Sequence, residues 1–108
     1  MIVHAAGTAG VVVEPGVTRK VLSHAPGMMA CEISFEKGAQ GSAHAHPHEQ
    51  IGYVVRGHFL LTLDGETVEI EAGDTYYVRP NAVHGVVALE PGVLLDVFAP
   101  QREDFLAR

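Results

Sequence analysis

Between residues 44 and 50 the chain reads HAHPHEQ, which packs His44, His46, His48, Glu49 and Gln50 into seven positions. Imidazole nitrogens together with carboxylate or amide oxygens are the donor types that hold a divalent cation. A strand sends alternate side chains to one face, so His44 and His46 share a face if this segment is extended. Two imidazoles on one face begin a metal site. The plainer alternative is an exposed His-rich loop tip, and a histidine from elsewhere in the chain has to decide between the two. His84 is the available candidate: it closes GDTYYVRPNAVH, a separate strand and turn, and approaches the others only through the fold.

The elements that must position these residues read as strands. In residues 29–36, Cys31, Ile33 and Phe35 alternate with Glu32, Ser34 and Glu36, the pattern of a strand with one wet face. Residues 51–55 and 59–63 flank Arg56-Gly57-His58, and Asp64-Gly65 makes a hairpin turn into 67–70. Segments 75–78, 83–89 and 93–98 follow, separated by Arg79-Pro80-Asn81 and Glu90-Pro91-Gly92. Upstream, Val11, Val12 and Val13 suggest a short edge strand before the Pro15-Gly16 turn, and 18–24 the next strand. Only residues 101–108 look like a helical turn. Roughly nine or ten short strands at regular turn spacing predict an antiparallel sandwich or barrel of jelly-roll type. No helix long enough for a parallel crossover fits between them. Such a roll has a lumen, and polar residues on inward faces converge there.

At 108 residues the chain fits one domain, and its twelve glycines and six prolines are spread along it as turn punctuation. A formal net charge of -6 with no basic stripe excludes nucleic acid as the expected partner, and no apolar run approaches membrane-spanning length. Cys31, the single cysteine, forms no internal disulfide and reads as a small core residue rather than a nucleophile. The first residues offer His4 and small side chains instead of a basic segment followed by a long apolar one, so the expected location is cytoplasmic. Valine-rich edge segments near the N-terminus have pairing groups to protect, and a homodimer is the expected solution.

The spacing Gly38-x5-His44-x-His46-x3-Gln50-x6-Gly57, followed by Gly73-Asp74 and then His84, resembles the two signature motifs of the cupin superfamily. The resemblance implies an all-β antiparallel jelly-roll β-barrel in a single domain over residues 1–108, with 1–15 as an N-terminal edge segment, 38–57 as the first metal motif and 73–88 as the second. Carried over position by position, it implies His44, His46, Gln50 and His84 as ligands of one divalent transition metal (Ni, Mn, Fe, Co, Zn or Cu). The chain departs from the family pattern in having Gln50 for the usual glutamate and Arg79 for the usual proline, with Pro80 one place later. Asn81 stands where glycine is frequent, and asparagine is among the few other residues that tolerate a left-handed backbone. Glu49, the alternative ligand, has the wrong spacing and the opposite strand parity. A set of three neutral imidazoles and an amide leaves the cation's full charge to a bound anion. His48 follows Pro47, which breaks the strand, and is expected outside the ligand set.

The end of the chain narrows the resemblance. LLDVFAPQREDFL at 94–106, together with HAHPHEQ, is similar to the small single-domain cupins of pectin and alginate degradation, the KdgF type, over residues 19–106. The similarity implies conversion of 4,5-unsaturated monouronates, small anionic sugars, into linear 5-keto-4-deoxyuronates, a ring opening without net redox change. In that chemistry Asp96, among apolar neighbours, is the candidate general acid/base, because desolvation disfavours its charged form. Arg102 offers a planar fork for the substrate carboxylate, and Phe98 a wall against the sugar ring, with Gln50 also at the substrate. Each has a plainer rival: Asp96 on the solvent side, Phe98 in the core, Arg102 in a surface ion pair with Glu103 or Asp104. One of Tyr76 and Tyr77 faces inward, and the register does not say which. Two other functions stand beside the first: a small metal-dependent dioxygenase, since three histidines with open positions also suit oxygen chemistry, and a non-catalytic sugar- or anion-binding module.

Overall fold

The computed structural model describes residues 1–106. A short 3₁₀ turn at Ala5–Gly7 precedes the strands β1 (Val11–Glu14), β2 (Val17–Ala25), β3 (Met28–Phe35), β4 (Gln40–His44), β5 (Glu49–Arg56), β6 (His58–Leu63), β7 (Glu66–Glu71), β8 (Thr75–Val78), β9 (His84–Ala88) and β10 (Gly92–Ala99). They form a six-stranded sheet in the order β1-β2-β3-β10-β5-β8 and a four-stranded sheet in the order β4-β9-β6-β7. Every pairing is antiparallel. The expected jelly roll is therefore present. The helical turn expected over 101–108 is α1 (Glu103–Leu106), its last two positions lying outside the described residues.

Alternation decides which side chains meet between the sheets. On β5, Gln50, Gly52 and Val54 are inward while Ile51, Tyr53 and Val55 are exposed, the period-two pattern of a strand with one wet face. Val17, Phe35, Val54, Phe59, Leu61, Ile70, Ala88 and Leu94 fill one end of the interior. Phe35 and Phe59 meet edge to face at 5.2 Å. Each such side chain, fully buried, contributes about 1.5–3 kcal/mol. A second cluster of Met29, Cys31 and Phe98 lies under the residues described below. Burial pushes the Cys31 thiol up to about 12, so it is an inert core group.

Turn chemistry follows the sequence. Asp64 and Gly65 both adopt positive φ (52° and 83°), which closes the β6–β7 hairpin with the twist of its strands. Asn81 takes the left-handed conformation its position requires, with φ 66°. Its N–H donates to the His46 carbonyl at 2.7 Å, so the second motif's turn grips the first motif's loop.

Candidate metal centre and active site

Three elements deliver three imidazoles to one place. His44 ends β4 and His84 begins β9, and the two are register partners across the four-stranded sheet. Between Gly41 and His44, three steps along β4 match two along β9, a one-residue bulge. Gly85 makes room for it: a Cβ there would lie 3.0 Å from both Ala43 N and Gly41 O. Strand alternation, however, does not deliver His46. β4 stops at His44, and His46 sits in the following loop, held by Asn81.

All three rings are turned by main-chain carbonyls. His44 Nδ1 donates to Ser42 O at 2.9 Å, His46 Nδ1 to His48 O at 3.1 Å, and His84 Nδ1 to Ala82 O at 2.9 Å. With Nδ1–H committed, each neutral ring carries its lone pair on Nε2. One ligand atom from each of the three lies within 4.8 Å of the others. His84 Nε2 is buried and meets no hydrogen-bond partner among the described residues. Burial lowers the His84 pKa to about 4 and holds His46 below its ordinary value, so both rings are neutral at neutral pH. An orphaned buried nitrogen whose ring lies 4.4 and 5.0 Å from two other imidazoles fits a cation and is costly without one.

The six-stranded sheet supplies the other residues. Gln50 and Phe98 are register partners on β5 and β10, and Asp96 lies two residues from Phe98, also facing inward. Gln50 Oε1 is 2.9 Å from His46 Nε2, and the same amide hydrogen-bonds Asp96. Each His46 nitrogen thus faces a carbonyl oxygen, and a neutral ring with one N–H leaves one of these two contacts as acceptor against acceptor. Asp96 is 9% exposed, and its pKa rises to about 6: desolvation outweighs the hydrogen bonds from Gln50 and Tyr76 and the field of Arg102.

The structure also answers the tyrosine question. Tyr76 is the inward one, its hydroxyl donating to Asp96 Oδ1 at 3.4 Å, and it lies over Gly52, where a Cβ would come within 2.1 Å of its ring. Burial first, then Asp96, push its hydroxyl well above the ordinary range, so it stays a donor. Tyr77 is exposed and donates to Glu49, which points outward as its parity requires. Phe98 is both core and wall: buried, it lines the cavity and meets the His46 ring edge-on at 5.5 Å. Arg102 forms the expected ion pair with Asp104 and also reaches the cavity. Its Nε and Nη2 donate to Asp104 at 3.1 and 3.0 Å. The guanidinium lies 4.1 Å from the centre of the Phe105 ring. His48 contributes its carbonyl to His46 and stays outside the triad.

These groups line one cavity of about 320 Å³, with His44, Gln50, Tyr76, His84, Asp96, Phe98 and Arg102 on its wall. Two charged residues of the lining, Arg19 and Glu14, are not among the candidates the sequence offers. Arg19 is buried on β2 and stacks 3.8 Å over Phe105; its parity with Val17 was the available signal. Glu14, at the end of β1, carried no signal in the sequence.

Comparison with known proteins agrees with this geometry. Residues 31–98 match the family model described as the cupin domain. The chain is 43% identical over 93 residues, 84% of each chain, to the pectin degradation protein KdgF of Dickeya dadantii (strain 3937). It superposes on the structure of KdgF from Halomonas sp. with a TM-score of 0.93 and 39% identity, covering 97% of both chains. An RmlC-like cupin from Shewanella frigidimarina NCIMB 400 matches with a TM-score of 0.93 and 39% identity over 96% of this chain and 94% of that one. The protein belongs to the cupin family, and within it to the KdgF-like pectin-degradation cupins.

Proposed function

We propose that this cupin is an enzyme of pectin or alginate breakdown that linearises 4,5-unsaturated monouronates to 5-keto-4-deoxyuronates. The observation that carries the reading is that two histidines of the triad, His44 and His84, line the same cavity of about 320 Å³ as a buried carboxyl whose proton affinity is raised by desolvation. The KdgF relatives, one of them named as a pectin degradation protein, support pectin breakdown as the setting.

His44, His46 and His84 would hold a divalent metal, with Gln50 Oε1 as the fourth protein ligand. The 2.9 Å contact between His46 Nε2 and Gln50 Oε1 brings two donor atoms close enough to serve one cation. When bound, the metal supplies Lewis acidity towards substrate oxygens.

The reaction needs one proton removed and one delivered. The C1 hydroxyl loses a proton and becomes the aldehyde, the bond from C1 to the ring oxygen breaks, and its electrons give an enolate at C5. Protonation at C4 then yields the ketone, with no net redox change. Asp96, with a pKa of about 6, holds its proton well enough to deliver it and loses it readily enough to be recharged. Tyr76 and Gln50 hold the carboxyl in place. Arg102 meets the substrate carboxylate with the edge that Asp104 leaves open, and Phe98 excludes water beside the ring. The expected homodimer is supported by the apolar outer faces of β1 and β5, where Val12, Ile51, Tyr53 and Val55 are exposed.

The test is the loss of alkene absorbance from a 4,5-unsaturated galacturonate. Metal-loaded protein should consume it faster than the spontaneous reaction, and Asp96→Ala and Arg102→Ala should each suppress that rate. Oxygen uptake during turnover would assign a dioxygenase instead, and saturable binding without turnover a non-catalytic module.

A further inference from the structure

Glu14 reaches across 28 residues of sequence to the bulge that carries His44. Its Oε2 accepts the Ser42 N–H at 2.9 Å, and its Oε1 accepts the Ser42 hydroxyl. The Ser42 carbonyl in turn accepts Nδ1–H of His44. Ser42 therefore stands between a carboxylate from the outermost strand of one sheet and a ligand imidazole at the edge of the other. A bulge residue lacks regular ladder bonds to fix its peptide planes, so outside partners have to do it.

The other two imidazoles do not need this support. His46 and His84 are 5% and 4% exposed, whereas His44 is exposed. The orientation of His44 thus depends on its hydrogen bond more than on packing. β1 also has little else to anchor that end of it: among the described residues it pairs only with β2, and Val11, Val12 and Val13 are exposed.

We propose that Glu14 is a positioning residue for the metal site: by clamping Ser42 in the β4 bulge, it fixes the carbonyl that selects the tautomer and direction of His44. The inference rests on the metal-binding reading above. Glu14 is not itself a ligand, since both its oxygens are engaged by Ser42. The direct partner of a ligating imidazole, here the Ser42 carbonyl, typically changes metal affinity by about 10–100-fold, and Glu14 acts on that partner.

The test compares wild type, Glu14→Ala, Glu14→Gln and Val12→Thr by calorimetric titration with Ni²⁺ and Zn²⁺, and by long-range ¹H–¹⁵N NMR of the His44 ring in metal-free protein. Glu14→Ala should bind metal roughly tenfold more weakly and show a mixture of His44 tautomers where wild type shows Nδ1–H. Glu14→Gln keeps both contacts, its oxygen accepting from the Ser42 N–H and its amide donating to the hydroxyl, and should stay within about threefold of wild type. Val12→Thr perturbs the same strand without touching Ser42 and should change neither readout. Unaltered affinity and tautomer in Glu14→Ala would overturn the proposal, as would an equal loss in Val12→Thr. Should wild type take up neither ion, the metal reading fails, and the tautomer comparison still decides the role of Glu14.

Discussion

On the four-stranded side of the lumen, His44 and His84 face each other across β4 and β9, each ring turned by a main-chain carbonyl. On the six-stranded side, Asp96 lies on β10 between Cys31 and Gly52 and is held by side chains, Gln50 and Tyr76. The first wall fixes its groups through the backbone, so their direction is set wherever the chain goes. The second fixes its carboxyl through packing and burial, which raise its proton affinity. Gln50 joins the two, with one end at His46 and the other at Asp96. The comparison teaches that metal binding and proton delivery should be separable.

His84→Ala should break the first wall most completely. Removing a buried ligand should weaken Ni²⁺ binding by more than the roughly 100-fold that an outer partner can cost, measured by titration against a competing chelator. Asp96→Asn should leave metal affinity nearly intact and lower turnover by about 10²–10⁴-fold, as loss of a general acid does. That separation sharpens the contrast; a parallel loss of metal would erase it.

The same variant carries a pH signature in metal-free protein. The folded pKa of Asp96, about 6, lies above its ordinary 3.8, so the folded state holds the proton more tightly than the unfolded one. Its contribution is present below pH 4 and is lost as pH rises through 6, leaving a cost of up to about 3 kcal/mol at pH 8. Asp96→Asn should therefore melt higher than wild type at pH 8 and about equally at pH 4. Equal melting at both would mean that the carboxyl is hydrated.

Gly52→Ala tests the packing that holds Tyr76. The added methyl meets the tyrosine ring and should destabilise the fold by about 1–3 kcal/mol in chemical denaturation. The smallest effect is expected from His58→Ala. Its exposed contact with Glu69 should contribute under about 0.5 kcal/mol, and metal affinity should not change.

What could be read from the sequence divides along the same line as the two walls. The triad was legible because its spacing is local in each motif and because Asn81 announces the turn that brings the second motif back. Even so, parity alone misplaced the cause for His46, which a loop and not a strand delivers. Asp96 was legible only as an acid at odds with its neighbours. Whether it faced the lumen depended on the register of β10 between β3 and β5, which is a tertiary fact. Tyr76 was ambiguous for that reason, and its partner Gly52 gave no hint of the ring above it. Glu14 was invisible, since its role exists only where two sheet edges meet.

Protonation at C4 of the substrate distinguishes a carboxyl on one wall from bulk water most directly. Turnover of a 4,5-unsaturated monouronate in D₂O, read by ¹H NMR before the product exchanges, should place deuterium in one of the two C4 positions, at a rate above the spontaneous one. Deuterium spread equally over both positions, or a rate no faster than without protein, would contradict delivery by Asp96.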